Sequence, residues 1–504
     1  MRSFLGIDLG TSAVKVIVID ESGRLQAMGS RAYPIEHPLP GHSEQSPQRW
    51  WSSTCACIQE TLLTEGLRAD AIDAIGLSGQ MHGLVLMDGN GTTLRNAIIW
   101  PDQRTAGICA EKARAENAKG FHAITGLPLA TGFLAPSLEW VRRNEPDVYR
   151  KAACFLLPKD YLRFRLTGRA ATEPSDASGT FLFDISRRMW SPEMLDAFGI
   201  AGNLVPELVD TMEVAGHLTR EAALLTGLTP GTPVIAGGSD QAMAALALGA
   251  DRTGKVAVAI SSGGTVITPI DSPRSDPRVH TLCHAYKGQW LMMGATLAAG
   301  ISLSWAAENL FTAPSTPDGA RAPVDVEQLS RWAGEVAAGA NGLFFAPYLN
   351  GERTPHMDPN ARGCLIGLTL SHTRAHVARA IMEGVAYSLR ESTEIFREMG
   401  LPVDEVSCYA GGSRSPVWRQ ILADVLDLPV RWRQFADYSA LGAAIVGGRG
   451  LGVLIPEEDF HGQADHALLP VPENARTYRA RLSTFRKIYP RLSDIFREIS
   501  EFPQ

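Results

Sequence analysis

The sequence predicts an α/β protein made of two similar lobes, and three observations carry that expectation. Residues 4–20 (FLGIDLGTSAVKVIVID) read as an apolar strand, a tight turn at Leu9-Gly10-Thr11-Ser12, and a second strand rich in Val and Ile. Residues 256–271 (VAVAISSGGTVITPID) repeat that pattern and close on the same Ile-Asp pair. Residues 73–79 (DAIGLSG) are echoed at 404–412 (DEVSCYAGG), each a strand that runs into glycine. Two ordered echoes half a chain apart imply a duplicated architecture. The lobes are expected to join near residues 240–255, with a ligand cleft between them.

A chain of 504 residues is long enough for two to four well-buried cores. Its net charge of −7, with no long basic run, gives no electrostatic support to a nucleic-acid or membrane partner. Any bound phosphate must therefore rely on local amides, a metal and a few cations. The seven cysteines are dispersed, with only Cys55 and Cys57 close together, which fits a reducing compartment. The chain enters a strand within four residues and carries Asp8, so its start does not read as a signal peptide. No uncharged apolar run approaches the ~20 residues of a membrane span. A cytoplasmic protein is the expectation.

In chain order, Gly23 turns into a short strand, and residues 34–47, rich in Pro, Gly and His, read as a loop. Pro47 opens an amphipathic helix through Trp50, Trp51, Cys55, Ile58 and Leu62. A strand then enters the Gly-flanked turn Gly79-Gln80-Met81-His82-Gly83, residues 84–87 form another, and 98–104 (IIWPDQR) end in a Trp, Asp and Arg cluster. Helix-like segments at 134–144, 160–167 and 221–225 alternate with Pro and Gly breaks. Residues 233–241 (PVIAGGSDQ) run strand, Gly pair, carboxylate, ahead of a small-residue helix at 242–249. Further helices are predicted around 298–310, over 375–400, around Trp418, Ile421, Leu422 and Val425, and from Ser439. A Pro-rich connection lies at 313–324, an irregular polar turn falls within 343–362, and the tail from about 470 is helical and charged.

The polar groups of the opening hairpin set its chemistry. Amides around Gly10 with the Thr11 and Ser12 hydroxyls suit polyphosphate oxygens, and Asp8 at the edge suits the accompanying Mg²⁺. The same pattern also describes an ordinary hairpin with an unpaired Asp. Lys15, at the start of the return strand, either reaches a phosphate or is solvated. Asp240 reads either as a carboxylate placed close to a substrate or as the N-cap of the helix behind it.

Taken together, the motifs resemble the FGGY family of carbohydrate kinases. Residues 8–15 (DLGTSAVK) are similar to the family's first phosphate loop, 79–83 (GQMHG) to a sugar-contacting turn, and Trp100, Asp102 and Arg104 to its W-x-D-x-R cluster. Residues 156–161 (LLPKDY), 363–383 and 411–424 (GGSRSPVWRQILAD) are similar to further family segments, so the resemblance runs nearly end to end. It implies two ribonuclease H-like lobes of the actin–hexokinase type, with sugar and ATP in an interlobe cleft. The implied division is 1–245 for the sugar-binding lobe with the first phosphate loop, 246–490 for the nucleotide-binding lobe, and 491–504 for a tail.

The resemblance implies ATP- and Mg²⁺-dependent phosphorylation of a pentulose, D-xylulose to D-xylulose 5-phosphate foremost. Asp240 is then the base that takes the sugar hydroxyl's proton, and Asp8 organises Mg²⁺. Gly10, Thr11 and Ser12 hold phosphates from one lobe, and Ser262, Gly263 and Gly264 from the other. Gln80, Met81, His82, Trp100, Asp102 and Gln241 face the sugar, although Asp102 could instead pair locally with Arg104. Gly411, Gly412 and Ser413 face the nucleotide, and Gly442 lets adenine or ribose approach the helix at 440–444. A homodimer is also implied.

Three positions depart from the family pattern. Gln241 stands where Asn is usual after the catalytic Asp, Ser262 replaces a threonine, and Ser137 stands where a lysine is usual. Gln reaches one methylene further than Asn, which motivates a kinase for another ketose or a polyol as the alternative. An actin- or chaperone-like switch ATPase is the alternative of a different class, and it has no use for the GQMHG and W-x-D-x-R groups. His280, Cys283 and His284, and likewise residues 350–353, gather polar groups without any standard metal-ligand spacing.

Overall fold

A computed structural model describes residues 2–115, 118–311, 324–432, 435, 437–455 and 466–501. All of the predicted Pro-rich connection except Val324 lies outside the described residues. The chain divides into two compact units. The first comprises Met1–Asp251, Ile270–Leu291 and Asp437–Gly462, and the second Arg252–Pro269, Met292–Ala436 and Gln463–Gln504. No single cut separates them, so the second unit does not take the whole of 246–490.

The first unit is built on a mixed sheet. Strands β1 (Ser3–Leu9), β2 (Ala13–Asp20) and β3 (Leu25–Ala32) pair antiparallel in succession. On the other side β1 pairs parallel with β4 (Ile72–Gly79), so that Asp8 faces Ser78 and Gly6 faces Gly76. Strands β5 (Val214–His217) and β6 (Pro233–Ile235) complete the order β5-β6-β4-β1-β2-β3, and the two-residue β7 (Gly238–Ser239) also pairs with β4. Every residue of β1 is buried, as a strand covered on both faces requires. One face carries α1 (Pro47–Thr64), started by Pro47 and by the Ser46 side chain accepting from the Arg49 N–H, and its Trp50, Ile58 and Leu62 join the core. Helix α2 (Pro158–Thr167) supplies Tyr161, Leu162 and Leu166 to the same core. After β7, α3 (Asp240–Ala247) begins.

The second unit repeats the plan. Strand β8 (Gly254–Ile260) pairs antiparallel with β9 (Gly264–Ile270) and parallel with β11 (Val403–Tyr409), in the run β10-β9-β8-β11-β12-β13. Here β10 is Trp290–Thr296, β12 Val430–Trp432 and β13 His466–Leu468. Both echoes are thus structural, because each hairpin's first strand has as its parallel neighbour the strand that leads into glycine. Helices α4 (Gly300–Asn309), α5 (Arg374–Glu398) and α6 (Pro416–Leu426) accompany this sheet. The 25 residues of α5 bury Ile381, Val385 and Leu389 at helical spacing, with Val377 at the same face half-buried.

After the second unit's β12, the chain returns to the first unit as α7 (Tyr438–Arg449), which lies against β1 and β4. A Cβ on Gly6 would stand 2.2 Å from the Ala440 carbonyl oxygen, and one on Gly76 1.8 Å from that of Ala443. Paired glycines on neighbouring strands therefore make the furrow in which α7 sits. On the helix, a Cβ at Gly442 would come within 2.0 Å of the Met243 carbonyl in α3. Small residues on both partners allow this close packing.

Candidate active site

Within the first unit the chain ends of β1, β2, β4 and β7 meet the start of α7, and four charged side chains converge there. Asp8, the penultimate residue of β1, is buried and accepts a 2.8 Å hydrogen bond from the Ser78 hydroxyl of β4. Burial, with the like charges of Asp437 and Asp240, pushes its pKa up to about 8, while Lys15 and Ser78 pull the other way. Burial draws the Lys15 ammonium down, but the surrounding Asp437, Asp8 and Asp240 override it and leave it raised. Lys15 is ion-paired with Asp437, whose other oxygen caps α7 by accepting from the Ala440 N–H at 2.8 Å. Lys15 is thus not simply solvated.

Asp240 opens α3 but does not cap it. Ser239 is the cap and accepts from the Ala242 N–H, so the Asp240 carboxylate is left to the site, with one oxygen accepting from the Gln241 N–H at 2.7 Å. Burial pushes its pKa up to about 7, against the hydrogen bonds from Gln241. The turn before it is fixed from behind, since the Ser239 N–H donates to Ser175 Oγ at 3.0 Å and that hydroxyl donates to Glu173 at 2.9 Å. Glu173 belongs to a fully buried group with Lys159, Asp160, Arg163 and Asp176.

The turn at Gly10 is ordered by its neighbours. The Gly10 N–H donates to the Ala13 carbonyl, the Tyr33 hydroxyl donates to the Gly10 carbonyl, and the Trp100 indole N–H donates to Thr11 Oγ1 at 2.9 Å. Thr11 is half-buried and Ser12 exposed, so amides and hydroxyls of this turn are open to a ligand. Gln80 is buried and donates to Gln45 at 3.0 Å, and Gln45 itself donates to the Thr11 carbonyl at 2.7 Å. The sugar-type turn and the phosphate-type turn therefore share one buried amide. His82 adopts φ 71° and hydrogen-bonds through Nδ1 to the Gly179 carbonyl at 2.6 Å, with Phe133 against its ring, while Met81 is buried beside Gly179.

Asp102 takes the local alternative. It is fully buried, accepts from the Ser43 N–H at 2.6 Å, and receives the Arg104 Nε at 2.9 and 3.0 Å on its two oxygens. Both oxygens are engaged, holding the Arg104 side chain and tying this turn to the distant Ser43 segment. At Gly442 the place of a side chain is taken by the Met243 carbonyl, so helix packing alone accounts for the glycine.

In the second unit, Ser261, Ser262 and Gly263 form the turn between β8 and β9. Ser261 and Ser262 are exposed, and the Ser262 carbonyl accepts from the Ala299 and Ile301 N–H groups at the start of α4. A cavity of about 780 Å³ is lined by Ser262, Gly300, Ile301, Gly411, Gly412 and Trp418 among others. That volume suits a nucleoside-sized ligand. Ser413 is buried beside it, its hydroxyl donating to the Ala410 carbonyl and receiving the Trp432 indole N–H at 3.2 Å.

Among the described residues, no group of three or more His, Cys, Asp or Glu side chains is arranged to hold a metal alone. The oxygens of Asp8 and its acidic neighbours nevertheless fit Mg²⁺ that keeps most of its water. A cation there would offset the burial and the like charges of Asp437 and Asp240 that drive Asp8 upward. No described helix is long and apolar enough to cross a membrane. Sequence reasoning missed Asp437 and the Lys159 group. The signal for Asp437 was its place just ahead of the small-residue helix, where a capping Asp is favoured.

Comparison with known proteins agrees with this geometry. Residues 3–247 match the N-terminal domain, and residues 258–451 the C-terminal domain, of the FGGY family of carbohydrate kinases. The chain is 38% identical over 509 residues to the xylulose kinase of Bacillus subtilis (strain 168), covering 100% of this chain and 99% of that protein. The crystal structure of xylulose kinase from Rhodospirillum rubrum superposes with a TM-score of 0.87 at 31% identity, over 98% of this chain and 100% of that one. The crystal structure of gluconate kinase from Lactobacillus acidophilus gives 0.90 at 26% identity, over 99% of each chain. Two units of one plan, each opening on a hairpin with a polar turn, and a carboxylate freed from capping are what a phosphoryl-transfer scaffold supplies, and the chain belongs to the FGGY family of carbohydrate kinases.

Proposed function

We propose that this carbohydrate kinase phosphorylates a pentulose, D-xylulose foremost, giving D-xylulose 5-phosphate and ADP. The observation that carries the residue assignment is Asp240, a carboxylate at a helix start whose capping duty falls to Ser239 and whose pKa lies at about 7. A base poised there takes the hydroxyl proton as the sugar oxygen forms its bond to the γ-phosphorus and the bond to the β–γ bridging oxygen breaks. Gln80, Met81, His82, Trp100 and Gln241 bind and orient the sugar. The turns Gly10-Thr11-Ser12 and Ser262-Gly263-Gly264 hold phosphate oxygens, and Gly411, Gly412 and Ser413 border the base and ribose. Asp8 would hold Mg²⁺ through water, with Asp240 and Asp437 close enough to share its charge. Bound there, the ion neutralises charge on the transferring phosphoryl group.

The xylulose kinases among the relatives support the pentulose, at 38% and 36% identity for those of Bacillus subtilis and Escherichia coli. A kinase for another ketose or a polyol is the second reading, on account of Gln241, and the gluconate kinase likeness adds an aldonate. A coupled ATP-consumption panel over D-xylulose, L-xylulose, the ribuloses, polyols and gluconate tests the proposal. The highest kcat/KM is expected with D-xylulose, and a higher value with any other acceptor overturns the assignment. The reading also places the protein in the cytoplasm as a homodimer. Light scattering at micromolar concentration checks the dimer, and a monomer mass would remove it.

A further inference from the structure

We propose that Glu352 is a positioning residue that holds the Ser262–Gly264 turn in the shape that binds phosphate. This deepens the proposed function and rests on its assignment of that turn. Glu352 lies in the polar turn whose residue types suggested a catalytic or metal site, yet its geometry is that of a buried organiser. It is 1% exposed, and both carboxylate oxygens are taken up by neighbours of the turn. One oxygen accepts from Thr296 Oγ1 at 2.6 Å and from Ser388 Oγ at 3.3 Å. The other accepts from the Leu297 N–H at 3.2 Å and the Arg353 N–H at 2.7 Å. Its neighbour Thr354 secures the same strand end by exchanging hydrogen bonds with Ala295, the Thr354 N–H to the Ala295 carbonyl at 2.9 Å and the Ala295 N–H to Thr354 Oγ1 at 3.1 Å.

The strand end held in this way is the wall of the phosphate turn. A Cβ on Gly263 would stand 2.9 Å from the Thr296 carbonyl oxygen, and one on Gly264 2.9 Å from Thr296 Cγ2. From Thr296 the chain runs directly into 299–301, whose N–H groups donate to the Ser261 and Ser262 carbonyls at 2.7–3.2 Å. Those bonds turn the carbonyls of the loop toward α4, which frees the opposite face of the loop for anions. Moving Thr296 by a fraction of an ångström therefore moves the loop. A carboxylate is suited to the task because it accepts several donors at once, and an acceptor-free apolar residue would take that partner from the half-buried Leu297 N–H. Burial pushes the Glu352 pKa up to about 8. The Thr296 and Ser388 hydroxyls can rotate to accept from a protonated carboxyl, so Glu352→Gln preserves the arrangement.

The test measures binding of a fluorescent ATP analogue and steady-state constants for the full chain carrying Glu352→Ala, Glu352→Gln, Thr296→Val or Gly263→Val. Glu352→Ala is expected to weaken nucleotide binding and raise the KM for ATP on the order of tenfold or more, as loss of several hydrogen bonds to a buried carboxyl group predicts. The KM for the sugar should stay within about twofold of wild type, and Glu352→Gln should restore most of the nucleotide affinity. Thr296→Val, which keeps the shape and removes one bond, should give a smaller shift in the same direction. If Gly263→Val weakens ATP while Glu352→Ala does not, or if Glu352→Ala raises both KM values equally, the positioning role is overturned. If Gly263→Val leaves ATP binding unchanged, the phosphate-turn assignment itself fails.

Discussion

Lys15 is ion-paired with Asp437, a residue 422 positions further along the chain, and Asp437 at the same time caps the helix that seals the first sheet. The pair sits beside Asp8 and Asp240, and each of its members moves those carboxylates in the opposite sense. Removing one member therefore has a signed effect. Lys15→Met should raise the Asp240 pKa and shift the acidic limb of the kcat/KM profile to higher pH. Asp437→Asn should shift it to lower pH. A profile unmoved by both substitutions would sink this account.

Asp240→Asn keeps the shape and removes the base. Activity should fall at least ~100-fold with the KM for ATP little changed. In the wild type the rate should climb with pH through about 7, since the deprotonated carboxylate is the active form. A variant retaining most of its activity would remove Asp240 from the chemistry.

Two buried carboxylates with raised pKa values also make stability depend on pH. Asp8 at about 8 and Asp240 at about 7 hold protons in the native state that the unfolded chain, near 3.8, has already released. Over that interval the native state binds more protons, so the contribution of these groups to stability falls as pH rises from about 4 toward 8. Urea midpoints at pH 5.5 and 8.5 measure the slope. Asp8→Asn should flatten it and should be the more stable protein at pH 8.5; an unchanged slope would show that Asp8 is already ionised when folded.

Gly442→Ala puts a methyl carbon into the Met243 carbonyl and should cost roughly 1–3 kcal/mol, read as a lowered urea midpoint. The KM for ATP should hold, because this glycine serves helix packing. A raised KM with unchanged stability would return Gly442 to the nucleotide.

Asp102→Ala takes away one of the two carboxylates paired with the buried Arg104 guanidinium, Glu44 at 2.7 Å remaining, and should destabilise by about 1–3 kcal/mol. Asp102→Asn, which can still accept from Ser43 and Arg104, should cost less. Loss of sugar affinity in Asp102→Asn at full stability would argue for direct contact after all.

How much of this was legible in the chain differs by feature. The two hairpins were readable because strand alternation and the polar turns are local, and the repeat doubled a weak signal. The capping role of Ser239 was not, because Ser and Asp are both good caps and adjacent here; only backbone geometry separates them. Gly442 was readable as a site of close approach, but glycine does not say whether the approaching group is a nucleotide or the backbone of Met243. Asp437 stayed hidden because its partners Lys15 and Asp8 come near only when a late helix returns to the first sheet. Glu352 drew notice for its polar neighbourhood, while its burial under four donors could not be read from spacing.

The furrow formed by Gly6 and Gly76 has a consequence for how the protein is made. A ribosome will have released every strand of the first sheet well before it reaches Tyr438, and the furrow stays unfilled until then. Nascent chains that stop between about 250 and 436 carry a finished sheet with one apolar face bare, the kind of surface that chaperones hold and that aggregation exploits. Translation must run almost to its end before the first unit can close.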